Sequence, residues 1–203
     1  MWGQRALLEA LREWVVDGKE PPASTFSSLG RNSLAKPTDI HYPFVPATSF
    51  SPAGVANFKF FLDRGHRFDV ADVSGIMAEP PIADGQYTVL VPKIDSDGND
   101  IDGLRNTNVQ VPLGTYLGWN VRKAGFSEGD SCDLTGGFIP FFKTQADRLA
   151  AGDPRPSLAE RYPTHADYVG KVTAAANSLV KQRLLLQQDA TSIIAAANAA
   201  AVP

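Results

Sequence analysis

The chain has 203 residues, of which 43% are hydrophobic and 20% are charged, so it can bury the core of one domain or two small ones. Its formal net charge of -3 and its scattered lysines and arginines exclude the basic surface that nucleic acid requires, and we expect no nucleic-acid partner. A single cysteine excludes an intramolecular disulfide, and no run approaches the roughly 20 apolar residues that span a membrane, so we expect no membrane partner and leave the compartment, cytoplasmic or exported, open.

An amphipathic helix is predicted at the start of the chain, and residues 1–18 form a segment of their own. Apolar residues recur at spacings of three and four, charged residues supply the other face, and Gly18 ends the pattern. No cap or partner strand precedes this helix, so we expect the chain to continue a longer protein, with Leu11 and Trp14 buried there and partly exposed in this chain. The apolar face comprises Leu7, Leu8, Leu11, Trp14 and Val15.

Two further segments are predicted: a loop-rich wrap with a β-hairpin over residues 19–150, and a helical segment over residues 151–203. From Pro21 to about Gly54 the sequence is rich in serine, proline, glycine and asparagine without a sustained period, which is typical of an extended surface segment with turns. A candidate short strand follows, formed by Phe58, Phe60, Phe61 and Leu62.

A β-hairpin or meander is predicted around the turn Asp97-Gly98. Residues 87–91 are β-branched and apolar, and after the turn Val109 resumes an apolar rhythm. Pro92 indicates that the first strand lies at a sheet edge or contains a bulge, because proline has no amide hydrogen to donate.

The same turn carries oxygen ligands at alternate positions, as a calcium loop does, in Asp95, Asp97 and Asn99. The pattern then fails, because position six needs a glycine and is Asp100, and position twelve is Asn106 instead of a bidentate glutamate. A hairpin turn explains these residues without a metal. We therefore expect no metal site and no cofactor.

The last quarter of the chain is predicted to be helical. Ser157 with Glu160 fits a capping box, and Thr164 with Asp167 is a weaker version of the same pattern. Asp189 is expected to cap a final, alanine-rich helix that docks loosely. A stripe at helical spacing comprises Tyr168, Val172, Ala175, Leu179 and Val180.

Three histidines and the cysteine are the candidate proton acceptors and thiol nucleophile of the chain. An unperturbed imidazole titrates near neutrality, so His41, His66 and His165 are each possible general bases. None has a supporting context, and we expect each to be solvated or bonded within the core. For Cys132 a pair with a histidine stays open, and a lone buried thiol is the expected outcome.

A serine nucleophile at the top of an α/β sheet requires the elbow Gly-x-Ser-x-Gly, because small neighbours permit the sharp turn that lifts the hydroxyl towards its base. We expect no elbow in this chain and assign no catalytic residue. Residues 129–133 are the segment compared with this pattern. There Asp133 replaces the second glycine, and no β-branched strand precedes Ser131.

Tyr116, Trp119 and Asn120 are the candidate substrate-binding residues. Two amphipathic aromatic rings and an amide beside two glycines suit the mouth of a ligand pocket. They equally suit a buried structural corner, in which Trp119 fills space while Gly114 and Gly118 permit unusual backbone angles.

Three runs carry a resemblance to a known family: residues 91–100 (VPKIDSDGND), 111–120 (VPLGTYLGWN) and 152–162 (GDPRPSLAERY). Together they resemble the C-terminal part of a family of large bacterial α/β-hydrolase domain proteins, and the likeness extends to residues 6–22, 79–81 and 183–186. Residues 37–72 depart from the family's pattern.

The resemblance implies an α+β fold, a C-terminal fragment of an α/β-hydrolase-like structure with the first helix as its last core helix. It implies hydrolysis of a small-molecule carboxylic ester by a complete protein whose serine, acid and histidine all precede Met1. This chain would be inactive on its own. The alternative is a non-catalytic ligand-binding or protein-interaction module. We make no prediction of the oligomeric state.

Overall fold

The structure, a computed structural model, describes residues 2–43, 59–132 and 135–203. Phe58 and the part of the predicted wrap from 44 to 57 lie outside the described residues.

The described residues form an α+β fold of six helices and ten short strands. The helices are α1 (Trp2–Asp17), α2 (Thr107–Gln110), α3 (Gln145–Ala151), α4 (Leu158–Arg161), α5 (His165–Lys181) and α6 (Gln187–Ala199), with a 3-10 turn at Pro37–Asp39. The strands are β1 (Leu34–Ala35), β2 (Phe60–Asp63), β3 (Phe68–Asp69), β4 (Ser74–Gly75), β5 (Ile82–Gln86), β6 (Val91–Pro92), β7 (Gly114–Leu117), β8 (Asn120–Val121), β9 (Ser131–Cys132) and β10 (Gly137–Pro140).

The helical core lies at the C-terminal end, where α5 packs along α6. The predicted stripe on α5 is confirmed in Tyr168, Val172, Ala175 and Leu179, which are buried, while Val180 is half-buried. The alanines of α6 let the two helices pack closely, so the expected loose docking is wrong. The core residues of α6 are Ala190 and Ala197.

The helix caps follow the sequence at two of three sites. Ser157 and Glu160 form the predicted capping box, and the Thr164 side chain accepts from the backbone of Asp167. The third expectation is wrong, because α6 begins after Leu186, which makes no side-chain cap. Asp189 lies inside the first turn and is buried.

The described strands pair two by two, all antiparallel. The predicted turn at Asp97-Gly98 forms, with the Gly98 amide donating to the Asp95 carbonyl at 3.0 Å. The strand before it pairs differently from the expectation, since β6 pairs with β1 and only the bridge between Ile94 and Asp100 closes the loop. Val109 lies in α2 instead of a strand.

The first helix forms as predicted, and its large apolar side chains are exposed in this chain. Leu11 is 50% and Trp14 51% exposed, so the expectation of partial exposure is confirmed. Ala6 and Ala10 are the buried residues of α1.

Two ion pairs join α1 to the C-terminal region, one to α6 and one to the connection between α5 and α6. Arg5 donates to Asp189 at 2.5 Å, and Arg183 donates to Glu13 at 2.5 Å.

In the described part of the chain, no helix is long and apolar enough to cross a membrane. The division into segments 1–18, 19–150 and 151–203 stays a prediction.

Candidate functional site

A cavity of about 640 Å³ lies between the first turn of α1, α2, β7 and the helix pair α5 and α6. This volume is within the range of small-molecule sites. Its lining includes the apolar side chains Leu104, Val111, Leu113, Val172, Leu179, Leu184, Leu185, Ile193, Ala196 and Ala197, with Trp2 and Gly3 from α1.

The polar part of the lining is uncharged. It comprises Gln4, Asn106, Thr107, Asn108, Tyr116 and Tyr168. Among the described residues around the cavity, none is an aspartate, glutamate, lysine or arginine. A site of this composition favours an uncharged molecule, because no charged side chain lies in the lining to neutralise a buried charge.

Tyr116 is the predicted site residue that the structure places on this cavity. It lies in β7 opposite Phe138 of β10, and the two rings contact each other at an angle of 37° with centroids 4.9 Å apart. Burial raises the pKa of the Tyr116 hydroxyl, and burial likewise raises the pKa of the Tyr168 hydroxyl. Both phenols are therefore neutral hydrogen-bonding groups at physiological pH.

Trp119 and Asn120 lie elsewhere and are not among the cavity-lining residues. The Trp119 ring meets the edge of Tyr42 with centroids 5.9 Å apart, which is the packing expected of a structural corner. The Asn120 side chain accepts from the Val121 amide at 2.9 Å within β8. The three residues of one short run thus divide between a cavity wall and a corner. Their role in substrate binding stays a prediction.

Gly114 allows the backbones of β7 and β10 to approach each other closely, and it does not adopt an unusual backbone angle. A Cβ at this position would lie 2.4 Å from the carbonyl oxygen of Ile139 in β10. The expected unusual angles at Gly114 and Gly118 are wrong, since neither belongs to the described glycines with positive φ.

A buried arginine supports the strand that carries Tyr116. Arg155 donates to the carboxylate of Asp153 at 2.6 Å and to the Thr115 hydroxyl of β7 at 2.8 Å. Its guanidinium also donates to the carbonyl oxygens of Ile139 at 3.0 Å and Pro140 at 3.3 Å in β10. Arg155 therefore joins both strands of the sheet to the segment between α3 and α4.

The Asp97 turn packs against the other side of the same strand. The Asn99 amide donates to the Gly114 carbonyl at 3.1 Å, and its side-chain oxygen accepts from the Tyr116 backbone at 2.7 Å. Arg161 donates to both oxygens of Asp97, one of them at 2.7 Å. The three runs 91–100, 111–120 and 152–162 thus meet in one buried polar network around β7.

Among the described residues, no group of aspartate, glutamate, histidine or cysteine is arranged to hold a metal ion. In the Asp97 turn the potential ligands have other partners. Asp97 binds Arg161, and one Asp95 oxygen accepts from the amides of Asp97 and Asn99 at 2.9 and 3.0 Å.

Among the side chains that the structure describes, the three histidines form no hydrogen bond to a serine. His41 and His66 are exposed. The ring nitrogens of His165 lie 3.0 Å from the Val202 carbonyl and 3.2 Å from the Asn198 carbonyl, so this histidine joins the start of α5 to the end of the chain. No serine whose side chain the structure describes is hydrogen-bonded to a histidine.

One pentapeptide spells the nucleophile elbow, Gly125-Phe126-Ser127-Glu128-Gly129, so the expectation that the chain lacks this pattern is wrong. The segment forms the exposed connection between β8 and β9, two paired strands, instead of a turn from strand to helix. Ser127 has a φ of 56°, yet its carbonyl accepts from the Asp130 amide at 3.1 Å as in an ordinary turn. The context that makes the pattern catalytic is therefore missing.

Ser131 and Cys132 form β9 and pair with Asn120 and Val121. The Ser131 side chain lies outside the described atoms. The Cys132 thiol is half-buried and lies 3.8 Å from the Thr135 hydroxyl, which is a weak contact and not a nucleophile and base pair.

The family model described as "Alpha/beta hydrolase domain" matches residues 2–195, nearly the whole chain. No curated protein and no solved structure matches this chain.

Proposed function

The chain belongs to the alpha/beta hydrolase domain family, and from this premise we propose that it serves carboxylic-ester hydrolysis by holding the apolar group of the ester in the cavity beside Tyr116. The observation that carries the proposal is the cavity itself, about 640 Å³, lined by apolar, aromatic and uncharged polar side chains. Such a pocket binds and orients a substrate, and orientation of the reacting group is a large part of catalysis.

The proposal assigns no chemical step to this chain. Ester hydrolysis by a serine enzyme needs a serine that attacks the carbonyl, a histidine that moves the proton and amides that hold the oxyanion. Ser127 is exposed in a hairpin connection, and His165 binds two backbone carbonyls. We propose that the triad belongs to a hydrolase core outside this sequence and that the chain alone is inactive.

The exposed face of α1 supports this division of roles. Leu8 and Val15 are 68% and 76% exposed, and Leu7, Leu11 and Trp14 lie on the same side of the helix. A helix with a continuous apolar face of this size needs a partner to bury it. We propose that the partner is the hydrolase core, with α1 as its last helix.

The rigid network around β7 also supports a binding role. Arg155, Asp153 and Thr115 are buried and mutually bonded, so the strand that presents Tyr116 to the cavity is fixed on the side away from the ligand. Binding sites are more exact when their residues lie on supported strands and helices.

Two measurements test the proposal. The first is binding of methyl 4-phenylbutanoate, a neutral ester, followed by tryptophan fluorescence because Trp2 lines the cavity. Ala196→Phe fills the cavity mouth and should abolish binding, whereas Ala195→Phe, one position away and outside the lining, should not. Equal binding by the two variants would place the ligand elsewhere and refute the role of the cavity.

The second measurement is labelling by a fluorophosphonate probe with turnover of a nitrophenyl ester. We expect no labelling above that of the heat-denatured chain. Ser127→Ala and Ser131→Ala are the matched variants. Stoichiometric labelling that disappears in either one would identify a nucleophile in this chain and overturn the assignment of the chemistry to another part of the protein.

A non-catalytic ligand-binding or interaction module is the second candidate, favoured by the cavity without a serine and histidine pair. The coding sequence just before Met1 discriminates between the two. An open frame that encodes an elbow followed by a histidine loop supports the hydrolase, and a stop codon with a ribosome-binding site there supports the module.

A further inference from the structure

Two buried residues line the cavity with hydroxyl groups that form no hydrogen bond to the described residues. Thr107, at the start of α2, is 5% exposed, and Tyr168, in the second turn of α5, is 7% exposed. Both residues line the cavity. Neither hydroxyl forms a hydrogen bond with any residue that the structure describes, and neither oxygen is sealed away from the cavity space.

These two hydroxyls differ from the other polar groups around them. The Tyr162 hydroxyl, whose ring packs on Tyr168 with centroids 5.2 Å apart, donates to the Pro112 carbonyl at 2.8 Å. The side chain of Asn106 accepts from the Val109 amide as the cap of α2. Thr107 and Tyr168 are largely buried in the wall, and a hydroxyl in such a place gains free energy from a hydrogen bond that it does not make to the described residues. Thr107 and Tyr168 therefore have unused bonding capacity on the cavity side.

We propose that Thr107 and Tyr168 recognise the oxygen of an uncharged ligand, and that the cavity selects neutral esters, ketones or alcohols with an apolar group over carboxylates and phosphates. This inference rests on the proposed function, since it names the class of substrate that the same cavity takes. A hydroxyl donates to a carbonyl oxygen or accepts from an alcohol, so both groups suit a neutral oxygen.

The rest of the wall supports the exclusion of charged ligands. The lining contains no lysine or arginine among the described residues, so a carboxylate that enters loses its hydration without gaining a counter-ion. A neutral oxygen loses much less hydration, and two hydroxyls are enough to replace it.

The experiment compares three ligands of similar size: methyl 4-phenylbutanoate, the anion 4-phenylbutanoate, and pentylbenzene, which lacks an oxygen. We expect the ester to bind at least about 10-fold more tightly than the anion, because the buried carboxylate loses its hydration and gains no counter-ion. Tyr168→Phe and Thr107→Val remove one hydroxyl each and keep the shape. Each should weaken ester binding by about 3- to 10-fold, the value of one hydrogen bond, and leave pentylbenzene binding unchanged within about 2-fold.

Tyr87→Phe is the matched control, because Tyr87 is exposed and is not a lining residue, and it should leave all three affinities unchanged. Equal melting temperatures of the variants show that the fold is kept.

The outcomes separate this inference from the proposed function. Equal binding of anion and ester, or ester binding unaffected by both hydroxyl variants while Ala196→Phe abolishes it, would overturn the inference and leave the cavity as an apolar site. Failure of all three ligands to bind the unaltered chain would overturn the inference and the proposed role of the cavity together.

Discussion

Arg155 and Asp153 form an ion pair in which each side chain is only 1% exposed, and two of the guanidinium nitrogens bind the carboxylate. A pair this deeply buried is maintained by its further hydrogen bonds, since desolvation opposes it. Arg155 has three such bonds, to Thr115, Ile139 and Pro140. The two residues therefore hold the segment before α4 against the strand pair that borders the cavity.

Removal of one partner should be far more harmful than removal of a surface charge. Arg155→Met is expected to lower the free energy of unfolding by about 3 to 5 kcal/mol, because it leaves the Asp153 carboxylate buried and unpaired. Arg122→Met, at an exposed position, is the control and should change it by less than about 0.5 kcal/mol. Chemical denaturation measures both. Equal, small effects would mean that water reaches Asp153.

The same pair predicts a loss of stability in acid. Burial works to raise the pKa of Asp153, but the hydrogen bonds and charge of Arg155 outweigh it, and the pKa lies below its ordinary value. A lowered pKa stabilises the fold above the unfolded pKa of about 3.9, and this contribution is lost as the pH falls through the folded value. In Asp153→Asn the unfolding free energy should depend less on pH below about 4 than in the unaltered chain. Parallel pH profiles of the two proteins would contradict this.

Glu160 should stay ionised in acid. Two hydrogen bonds from Arg148, at 2.6 and 2.7 Å, and the capping bonds from Ser157 hold the pKa of Glu160 well below its ordinary value. Carboxyl chemical shifts should show Glu160 still ionised at about pH 4, where an unperturbed glutamate is more than half protonated. Arg148→Ala is expected to raise this pKa. A Glu160 titration that is the same in both proteins would exclude Arg148 as the main cause.

Tyr116 and Trp119 should respond differently to substitution. Tyr116→Ala removes cavity wall and is expected to weaken binding of methyl 4-phenylbutanoate by about 10-fold or more, since an aromatic side chain buries a large contact area. Trp119→Ala should leave this affinity within about 2-fold and lower the melting temperature, because the ring packs on Tyr42. Ligand titration and thermal unfolding measure the two effects. Weaker ester binding by Trp119→Ala and unchanged binding by Tyr116→Ala would instead identify Trp119 as the binding residue.

The exposed face of α1 predicts a context-dependent effect of Leu11. In this chain Leu11 is half-exposed, so Leu11→Ala should change the free energy of unfolding by less than about 0.5 kcal/mol. In a protein that contains the proposed hydrolase core, the same substitution should cost about 2 to 5 kcal/mol as a core deletion. Leu179→Ala, at a buried position of α5, should cost that much in both proteins. A small effect of Leu11→Ala in the longer protein would mean that α1 does not dock there.

Local patterns were predictable from sequence because the interactions behind them span few residues. The capping box of Ser157 and Glu160 and the buried stripe of α5 depend on spacings of three and four within one helix. The pairing partner of a strand is harder to predict, because it can lie far away in sequence. Val91 and Pro92 pair with β1 across a long stretch of chain, and nothing in the alternation of residues 87–91 specifies that choice.

The candidate site was less predictable, because its wall is assembled from separate segments. The aromatic and glycine-rich surroundings of Tyr116 predict a site residue, but Thr107 lies in a single-turn helix without a sequence signature, and the spacing of Tyr168 predicts only a core residue. Trp119 has the same local composition around it as Tyr116 and lies outside the cavity lining. The local composition shows that a residue is suited to bind a ligand. Tertiary packing decides whether that residue lines the cavity.

The ion pairs of α1 also set the order in which this chain acquires its structure. Arg5 and Asp189 are 184 positions apart in sequence, and Glu13 and Arg183 are 170 apart. In the order of synthesis, α1 therefore acquires these two partners only after the last helices have been made, and closing so long a loop makes this attachment a late event. Loss of α6, from Gln187 onward, would leave the first helix without Asp189 and one wall of the cavity open.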